Sequence, residues 1–445
     1  MVDRADALRH RVSFLMPSRR WPSALVLLIA IGQLGCATRD RLNPFDPANG
    51  TTLGRPVGFA ALAGNRRVDL RWQSASGSGL LGFRLWQRTA PESAYKLIAG
   101  LLPPASSRYV SSGLLNDVDH SYRLEYQFAD GTTSLPSEDS AMPGRAVGWV
   151  VDGARGELSR LTADGRRVAQ SWGGFTAPDA LVADTTNDHV WVSDGSGGRL
   201  WLLRASTGVL LSIPAGGVPG DLAVVQGDSM AWYCDEARNE LRLYASTGAL
   251  LDTLGGFLTP SGVALVPLDG TLWVADRDHN RVLHMDPDVG LLGSTPMSRP
   301  SRLARDAVTG QVWATSFTAR VVVRLGPDGS LQQTLSGFGG PVGVAIDSRR
   351  GRIWVADLNG GRVVAFDRDG AQQFAIGGLP GPRSIAVDEN TGRAWVACAE
   401  AGATIVIAPT GTVLHRLSAF ESATGISVDG NATLPPPSGV APAVP

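Results

Sequence analysis

Short apolar runs separated by turn residues follow one another along nearly the whole chain. Most runs are bounded by Gly, Pro, Asn or Asp, and several end in the phrase Trp-Val-Ala-Asp or a close variant. Brief apolar runs between such residues indicate β-strands rather than helices, which need longer periodic segments. Gly makes up 54 of the 445 residues, which suits a chain with many tight turns. The pattern predicts an all-β protein.

A tryptophan recurs every 40 to 42 residues through the C-terminal two-thirds of the chain. The seven positions are Trp149, Trp191, Trp232, Trp273, Trp313, Trp354 and Trp395. Each repeat contains four predicted strands joined by tight turns, and a repeat of this length and composition predicts one blade of a β-propeller. One large apolar residue per blade is what packing one blade against the next requires, so the tryptophans are predicted to be core residues.

A second series, of prolines that each precede a short strand, has the same period but a different phase. Its members are Pro178, Pro219, Pro260, Pro300, Pro341 and Pro382, and the next period falls on Ala423. The first Trp strand lacks a proline strand before it, and the strand at 424–429 lacks a Trp strand after it. Because an unclosed ring would expose two strand edges, we expect these halves to form one blade. This predicts a seven-bladed propeller over 146–430, with 424–429 as the innermost strand beside 148–172.

Two loops carry a resemblance to a known family. Residues 276–282, Asp-Arg-Asp-His-Asn-Arg-Val, and 357–363, Asp-Leu-Asn-Gly-Gly-Arg-Val, resemble the strand-loop-strand signature of NHL-repeat propellers. The YVTN and virginiamycin-lyase-like propellers are close alternatives. Lyases of this architecture need His or carboxylate ligands that converge on the central channel, and only His279 lies in a loop expected to reach that face. The other propeller histidines are His189, His284 and His415.

Residues 55–144 read as a separate domain of about seven short strands, which suits a β-sandwich. Its clearest alternating runs are 68–72, 83–87 and 122–128. The segment resembles a fibronectin type III domain. In that resemblance Trp72 ends the second strand, Tyr122 opens the penultimate strand, and Leu115 lies where a tyrosine corner would be built.

The first 36 residues are interpreted as a targeting segment. Arg19 and Arg20 precede a short apolar run that leads to Gly-Gln-Leu-Gly-Cys36, which resembles a bacterial lipoprotein signal ending at an acylated cysteine. Translation could start at Met1 or at Met16. Because Ala37 rather than Asp follows Cys36, the resemblance implies anchoring in the outer membrane, on its periplasmic or outer side.

The segments that flank the two folded domains have the composition of linkers. Residues 37–54 contain two closely spaced prolines and are predicted to be a flexible tether. Residues 431–445 are rich in Pro and Ala and are predicted to be a disordered tail.

Composition removes several classes of function. The formal net charge of −1 leaves no electrostatic argument for a nucleic-acid partner. The three cysteines, Cys36, Cys234 and Cys398, are too few for a disulfide framework or a Cys-rich zinc site.

Candidate chemistry centres on the third position after each tryptophan. Five of the seven positions are Asp152, Asp194, Asp235, Asp276 and Asp357, and the other two are Ser316 and Cys398. The favoured interpretation is that these side chains accept backbone N–H bonds in the turn after the strand. The alternative is a carboxylate ring around the channel mouth that binds a cation. Asp276, Asp278 and Asn280 also have the alternating oxygen spacing of a calcium loop, without the Gly and distant Glu of a complete one.

The resulting hypothesis is a monomeric cell-envelope lipoprotein whose propeller is a non-enzymatic binding platform on a lipid-anchored spacer. The candidate binding face consists of Asp152, Asp194, Asp235, Asp276, Asp278, His279, Asn280 and Asp357. No catalytic residue or cofactor is predicted, and the expected partners are the membrane, through Cys36, and a protein or glycan. The alternative is a hydrolase or lyase with its site at the channel mouth. Three or more His or carboxylate groups that converge there within metal-ligand distance would favour that alternative, and a channel lined by Gly, Ala and Val would exclude it.

Overall fold

The structure, a computed structural model, describes residues 43–430 and is built entirely of β-strands and their connections. The predicted signal segment with Cys36, residues 37–42 of the tether and the tail at 431–445 lie outside the described residues. Within 43–430, no helix has the length and apolar character needed to cross a bilayer.

The N-terminal domain contains seven strands in two antiparallel sheets. The first sheet has the order β1-β2-β5 and the second β4-β3-β6-β7. The strands are β1 (Ala60–Gly64), β2 (Arg67–Arg71), β3 (Leu80–Thr89), β4 (Lys96–Leu102), β5 (Arg108–Ser112), β6 (His120–Phe128) and β7 (Ser137–Ala141). Both sheets contribute to one buried cluster, in which Leu70 from the first sheet joins Phe83 and Tyr122 from the second.

Trp72 directly follows β2 and is 5% exposed, and Tyr122 lies in the penultimate strand of this domain, fully buried. The tyrosine corner implied by the resemblance is not formed. The Tyr122 hydroxyl is buried without a hydrogen-bond partner among the described residues, and Leu115 is 66% exposed.

Part of the predicted tether packs on this domain. The ring of Phe45 lies 5.0 Å from that of Tyr126 and 5.6 Å from that of Phe128, both in an edge-to-face arrangement. Asn49 accepts hydrogen bonds from the backbone N–H groups of Thr51 and Thr52. Residues 43–54 are therefore a series of turns fixed to the N-terminal domain rather than a free linker.

Strands β8 to β35 of the described chain form seven four-stranded antiparallel sheets. Blade 1 has β8 (Val147–Asp152), β9 (Glu157–Leu161), β10 (Val168–Gly173) and β35 (Ala423–Asp429); blade 2 has β11 (Pro178–Asp184), β12 (His189–Asp194), β13 (Arg199–Arg204) and β14 (Val209–Pro214); blade 3 has β15 (Pro219–Val225), β16 (Met230–Asp235), β17 (Glu240–Tyr244) and β18 (Leu250–Leu254); blade 4 has β19 (Pro260–Leu265), β20 (Leu272–Asp276), β21 (Arg281–Asp286) and β22 (Gly290–Pro296). Blade 5 has β23 (Leu303–Arg305), β24 (Val312–Ser316), β25 (Val321–Leu325) and β26 (Leu331–Leu335); blade 6 has β27 (Pro341–Asp347), β28 (Arg352–Asp357), β29 (Arg362–Asp367) and β30 (Gln372–Gly377); blade 7 has β31 (Pro382–Asp388), β32 (Arg393–Cys398), β33 (Ala403–Ile407) and β34 (Val413–Leu417).

The seven innermost strands contact one another in a closed ring, in the order β35, β11, β15, β19, β23, β27, β31 and back to β35. Strand β35 closes the ring by pairing antiparallel with β8. In this pairing, Ala423 lies opposite Asp152 and Asp429 lies opposite Val147. The predicted β-propeller, closed by strands from both ends of the repeat region, is confirmed.

Each repeated tryptophan is almost fully buried and packs against the following blade. Trp313 of blade 5, for example, lies in one cluster with Val344 and Ile353 of blade 6. Trp395 of blade 7 likewise packs with Val150 and Ile426 of blade 1. Removing a buried aromatic side chain of this size costs about 3–5 kcal/mol, so the series holds the ring together blade by blade.

The proline that begins five of the seven innermost strands, β11, β15, β19, β27 and β31, has a positional cause. Pro cannot donate a ladder hydrogen bond and is therefore accepted at the first residue of a strand or beside a bulge. In blade 6, Pro341 pairs with Asp357, the next pair is Gly343 with Ala356, and Val342 is the bulged residue between them. Similar register shifts follow Pro178, Pro219, Pro260, Pro382 and Ala423. Bulges re-aim the side chains beside them, here those at the start of the strand.

The N-terminal domain is attached to blade 1, the blade that both chain ends build. The turn between β9 and β10 enters it: Ala163 belongs to its buried cluster, and its N–H donates to the carbonyl of Ala63. In the same turn, Arg166 Nη1 lies 3.1 Å from Asp119 Oδ1, and Arg167 Nη2 lies 2.5 Å from Asp139 Oδ2. We call this turn, residues 162–167, the clasp.

Replacing both clasp arginines, Arg166→Ala with Arg167→Ala, is expected to loosen the N-terminal domain from the propeller. The two ion pairs are partly exposed, so each is worth at most about 1 kcal/mol, and the loss should total about 2 kcal/mol with the hydrogen bond to Ser140. Differential scanning calorimetry should then resolve an earlier transition for the N-terminal domain. The exposed pair Arg199→Ala with Arg204→Ala on blade 2 is the control, and identical melting profiles for the two double variants would contradict the assignment.

Candidate functional site

The repeated Asp at the end of each second strand ties two loops of its blade together. In blade 2, Asp194 is fully buried and accepts hydrogen bonds from the backbone N–H groups of Thr176, at 2.7 Å, and Ala177, at 2.9 Å. Those two residues precede β11, whereas Asp194 ends β12. The carboxylate therefore fixes the loop that enters the blade against the loop that follows its second strand.

The other predicted Asp residues make the same kind of contact. The backbone donors are Glu421 and Ser422 for Asp152, Val218 and Arg238 for Asp235, Leu258 for Asp276, and Gly339 and Gly340 for Asp357. All these carboxylates are at most 1% exposed. They accept the turn hydrogen bonds that the favoured interpretation describes and do not open onto the channel as a ring.

The predicted calcium-like loop uses its oxygens within the protein. Asp276 Oδ2 lies 2.7 Å from Arg281 Nε and 2.8 Å from His279 Nδ1, and Asp278 Oδ1 lies 2.5 Å from Arg299 Nη1. The Asn280 side-chain oxygen accepts the N–H of Arg299. Within residues 43–430, no group of three or more His, Cys, Asp and Glu side chains is arranged to hold a metal ion. The surface of these loops remains a predicted binding face. Its carboxylates, however, make contacts within the protein.

A cavity of about 490 Å³ opens at the mouth of the central channel, on the face of the Asp-tied loops. Two positions of the repeat build it, the first from all seven blades and the second from blades 3 to 6. One comprises the residues just after the proline, and the other is the residue just after the repeated Asp. Its polar lining includes Asp179, Asp221, Glu236, Arg277, Arg302 and Arg383, and its apolar lining includes Phe317, Val342 and Leu358.

Four charged side chains form a chain of ion pairs across this cavity. Arg383 Nη2 lies 2.7 Å from Asp179 Oδ1, and Arg302 Nη2 lies 3.6 Å from Asp179 Oδ2. Arg302 Nη1 lies 2.8 Å from Asp221 Oδ1 and also donates to the carbonyl of Ser261. Arg302, from blade 5, therefore reaches across the channel to blades 2, 3 and 4.

The electrostatic environment keeps Arg302 charged. Burial disfavours its charge, but the carboxylates of Asp221 and Asp179 outweigh burial and raise its pKa. Burial also raises the pKa of Asp221, a shift that the Arg302 guanidinium and the N–H of Val263 oppose. The Asp221 side chain is 18% exposed and that of Asp179 is 37% exposed, so Asp221 lies deeper in the channel.

Sequence reasoning did not identify Asp179, Asp221, Arg302 and Arg383. A usable signal was present, because each residue follows a proline of the repeated series by one or two positions. At these positions the repeats differ, whereas Trp, Pro and Asp recur. The channel matches neither of the two expected linings. It is not lined only by Gly, Ala and Val, and although Asp179, Asp221 and Glu236 line it, no three His, Cys, Asp or Glu side chains among residues 43–430 are arranged to hold a metal ion.

The histidines and cysteines of the propeller have structural surroundings. His284 stacks on Trp273 with a ring-centroid distance of 4.3 Å, and His415 lies 3.3 Å from Arg166 of the clasp. Burial raises the pKa of the Cys398 thiol to about 11 and that of Cys234 well above its ordinary value. Cys234 and Cys398 are both free.

Comparison with known proteins supports the repeat and the fold. Residues 338–366, which run from the loop before β27 through most of β29, match the model of the NHL repeat. No curated protein sequence matches the chain significantly.

Several solved structures are similar in fold. A functionally unknown protein from Desulfotomaculum acetoxidans is 15% identical with a TM-score of 0.54, over 63% of this chain and 98% of that one. A provisionally named 6-phosphogluconolactonase from Bacteroides uniformis is 16% identical with a TM-score of 0.55, over 64% and 99%. Virginiamycin B lyase from Staphylococcus aureus is 16% identical with a TM-score of 0.47, over 54% and 83%. At these identities the likeness is one of fold alone: the chain contains a β-propeller with an NHL repeat.

Proposed function

We propose that this protein is a cell-envelope lipoprotein whose propeller is a non-enzymatic binding platform, with the channel mouth as its recognition site. The observation that carries the proposal is the 490 Å³ cavity with its cross-channel arginines on the face where the loops are fixed. A preformed concave site with a few convergent polar groups and apolar walls is what small or protruding ligands use. The three carboxylates of the lining, Asp179, Asp221 and Glu236, are each ion-paired with an arginine, which favours binding over proton transfer in hydrolysis or elimination.

In this proposal, the part of the chain before the propeller attaches the protein to the membrane. Cys36 is the lipid-bearing residue, the outer membrane is the site of anchoring, and the N-terminal domain is a fibronectin type III-like spacer. Support for the spacer comes from the three-stranded and four-stranded sheets that share one core. For the anchor, Cys36→Ser should move the protein from the membrane fraction to the soluble fraction, and continued membrane association would exclude it.

The proposal also places the propeller with NHL-like, YVTN-like and virginiamycin-lyase-like domains. The match at 338–366 supports the first of these. Partners would be a protein or a glycan of the envelope, bound by a monomer.

Replacing Phe317 by Ser should abolish partner capture if the channel mouth is the binding face. Phe317 is 40% exposed on the cavity rim, so its loss removes contact area at little cost to the fold. The measurement is recovery of partners from envelope extract on the immobilised full chain. Val308→Ser is the matched control, since Val308 is 66% exposed in the β23–β24 loop at the opposite end of the channel. If Val308→Ser reduces capture and Phe317→Ser does not, the assignment of the face is wrong.

A further inference from the structure

The cavity contains arginine nitrogen atoms that the protein leaves without hydrogen bonds. Among the described residues, Arg383 uses only Nη2, toward Asp179, and Arg302 makes its short contacts only through Nη1. Its Nη2 stands 3.6 Å from Asp179, beyond hydrogen-bond distance. Arg277 Nε is buried with no hydrogen-bond partner. Three arginines thus present unused donors around one cavity.

Each of the three carboxylates in the cavity is paired with an arginine, and Glu236 pairs with Arg277 at 2.9 Å. Asp179 faces Arg383 with one oxygen and Arg302 with the other. Asp221 pairs with Arg302 through Oδ1 and accepts the N–H of Val263 through Oδ2. The side chains of Arg383 and Arg302 are 46% and 30% exposed, so a ligand acceptor can replace water on their unused nitrogen atoms, and an anionic acceptor forms the stronger bonds with guanidinium.

An apolar wall lies between Arg302 and Arg383. Around the ring, Arg302 belongs to blade 5 and Arg383 to blade 7. Phe317 follows the second strand of blade 5, and Val342 and Leu358 belong to blade 6. A ligand whose anionic group reaches Arg302 and Arg383 would therefore lay its body on these three side chains.

We infer that the channel mouth binds a carboxylate carried on a compact apolar group, held between Arg302 and Arg383 with the apolar group on Phe317, Val342 and Leu358. This rests on the proposed function and names the chemistry recognised at the same site. Arginine matches a carboxylate with paired N–H donors, and the cavity volume suits a ligand of modest size. Such a group occurs in a free organic acid and at the C-terminus of a peptide that ends in an apolar residue.

Isothermal titration calorimetry on the full chain in detergent tests the inference with matched probes. N-acetyl-leucine should bind at least about 10-fold more tightly than N-acetyl-leucinamide, which differs only in lacking the carboxylate. Arg383→Gln should weaken N-acetyl-leucine by about 10-fold or more, as should Arg302→Gln, whereas Arg199→Gln on the outside of blade 2 should have no effect. Equal affinity for acid and amide, or binding of neither, overturns the inference.

Replacing Asp179 distinguishes arginines that bind the ligand from arginines that only stabilise the channel. Its carboxylate competes with the ligand for both arginines, so Asp179→Asn should tighten N-acetyl-leucine binding several-fold, with the amide unaffected. Weaker binding of the acid by Asp179→Asn would contradict the geometry. Arg302 pairs with the deep carboxylate of Asp221, so its replacement could unfold the channel. The inference is therefore judged on Arg383→Gln and Asp179→Asn.

Two further probes distinguish the sources of the carboxylate. A hexapeptide ending in free leucine, with its amidated form as control, represents a chain terminus, and phenylacetate with phenylacetamide represents a free acid. Preference for the free hexapeptide assigns a peptide terminus, and binding of phenylacetate without the hexapeptide assigns a small acid. If no acid binds while Phe317→Ser still abolishes partner capture, this inference fails and the proposed function stands.

Discussion

Ending the chain after Ser422, which removes β35, is expected to abolish cooperative folding of the propeller. β35 is the innermost strand of blade 1 and its only contribution from the C-terminal end. Without it, β8 exposes an unpaired edge toward the channel, and the neighbouring innermost strands β11 and β31 lose the strand between them. Ala423 and Ile426 also leave the cluster around Trp395.

The expected loss of folding free energy exceeds what a domain of ordinary stability can tolerate. Whole domains are stable by about 5–15 kcal/mol, and a seven-residue strand with buried Ala423 and Ile426 accounts for a large part of such a margin. Circular dichroism melting and size-exclusion chromatography should show a broadened transition and aggregation. The control ends after Gly430 and retains β35. A chain ending at Ser422 that melts like this control would show that the ring does not depend on terminal closure.

Replacing Asp357 by Ala should lower the free energy of unfolding by about 3 kcal/mol. The substitution leaves the buried N–H of Gly340 and the N–H of Gly339 without an acceptor, and each such loss costs about 1–3 kcal/mol. Arg362, which also contacts this carboxylate, is 33% exposed, so water can replace that contact. Gly360 is needed for the same arrangement, because a Cβ there would collide with the Asp357 carboxylate.

Urea unfolding followed by tryptophan fluorescence measures this effect as a fall in midpoint of roughly 1 M. Asp228→Ala, at an exposed position before β16, is the control and should change stability by no more than about 0.5 kcal/mol. Equal midpoints for the two variants would show that the repeated Asp is dispensable to the loops.

The propeller could be predicted from the chain because its repeated residues have backbone and packing causes. A tryptophan between blades, a proline at a strand start and an aspartate that accepts turn N–H groups each recur with the blade. The phase difference between Trp149 and Pro178 was sufficient to predict that both termini build blade 1.

The channel chemistry could not be predicted in the same way. Asp179, Arg302 and Arg383 occupy positions where the repeats differ, so periodicity marks the place after each proline but not which side chain stands there. Their meeting also depends on Arg302 spanning the channel to another blade, which no local pattern encodes. The clasp could not be predicted for a similar reason. In the sequence, Ala163 and Arg166 belong to what reads as an ordinary hairpin turn, and only the fold brings the N-terminal domain against them. In this protein, uniform repeat positions maintain the fold, and divergent ones line the site.

Site-specific photo-crosslinking in intact cells tests the central claim most directly. p-Benzoylphenylalanine is introduced at position 317, on the cavity rim, and separately at position 308, at the opposite end of the channel. The account predicts a discrete crosslinked product from position 317 that Arg383→Gln reduces, and none from position 308. Crosslinking from position 308 alone would contradict a recognition site at the channel mouth, and a product from position 317 unaffected by Arg383→Gln would contradict the role of Arg383 in that site.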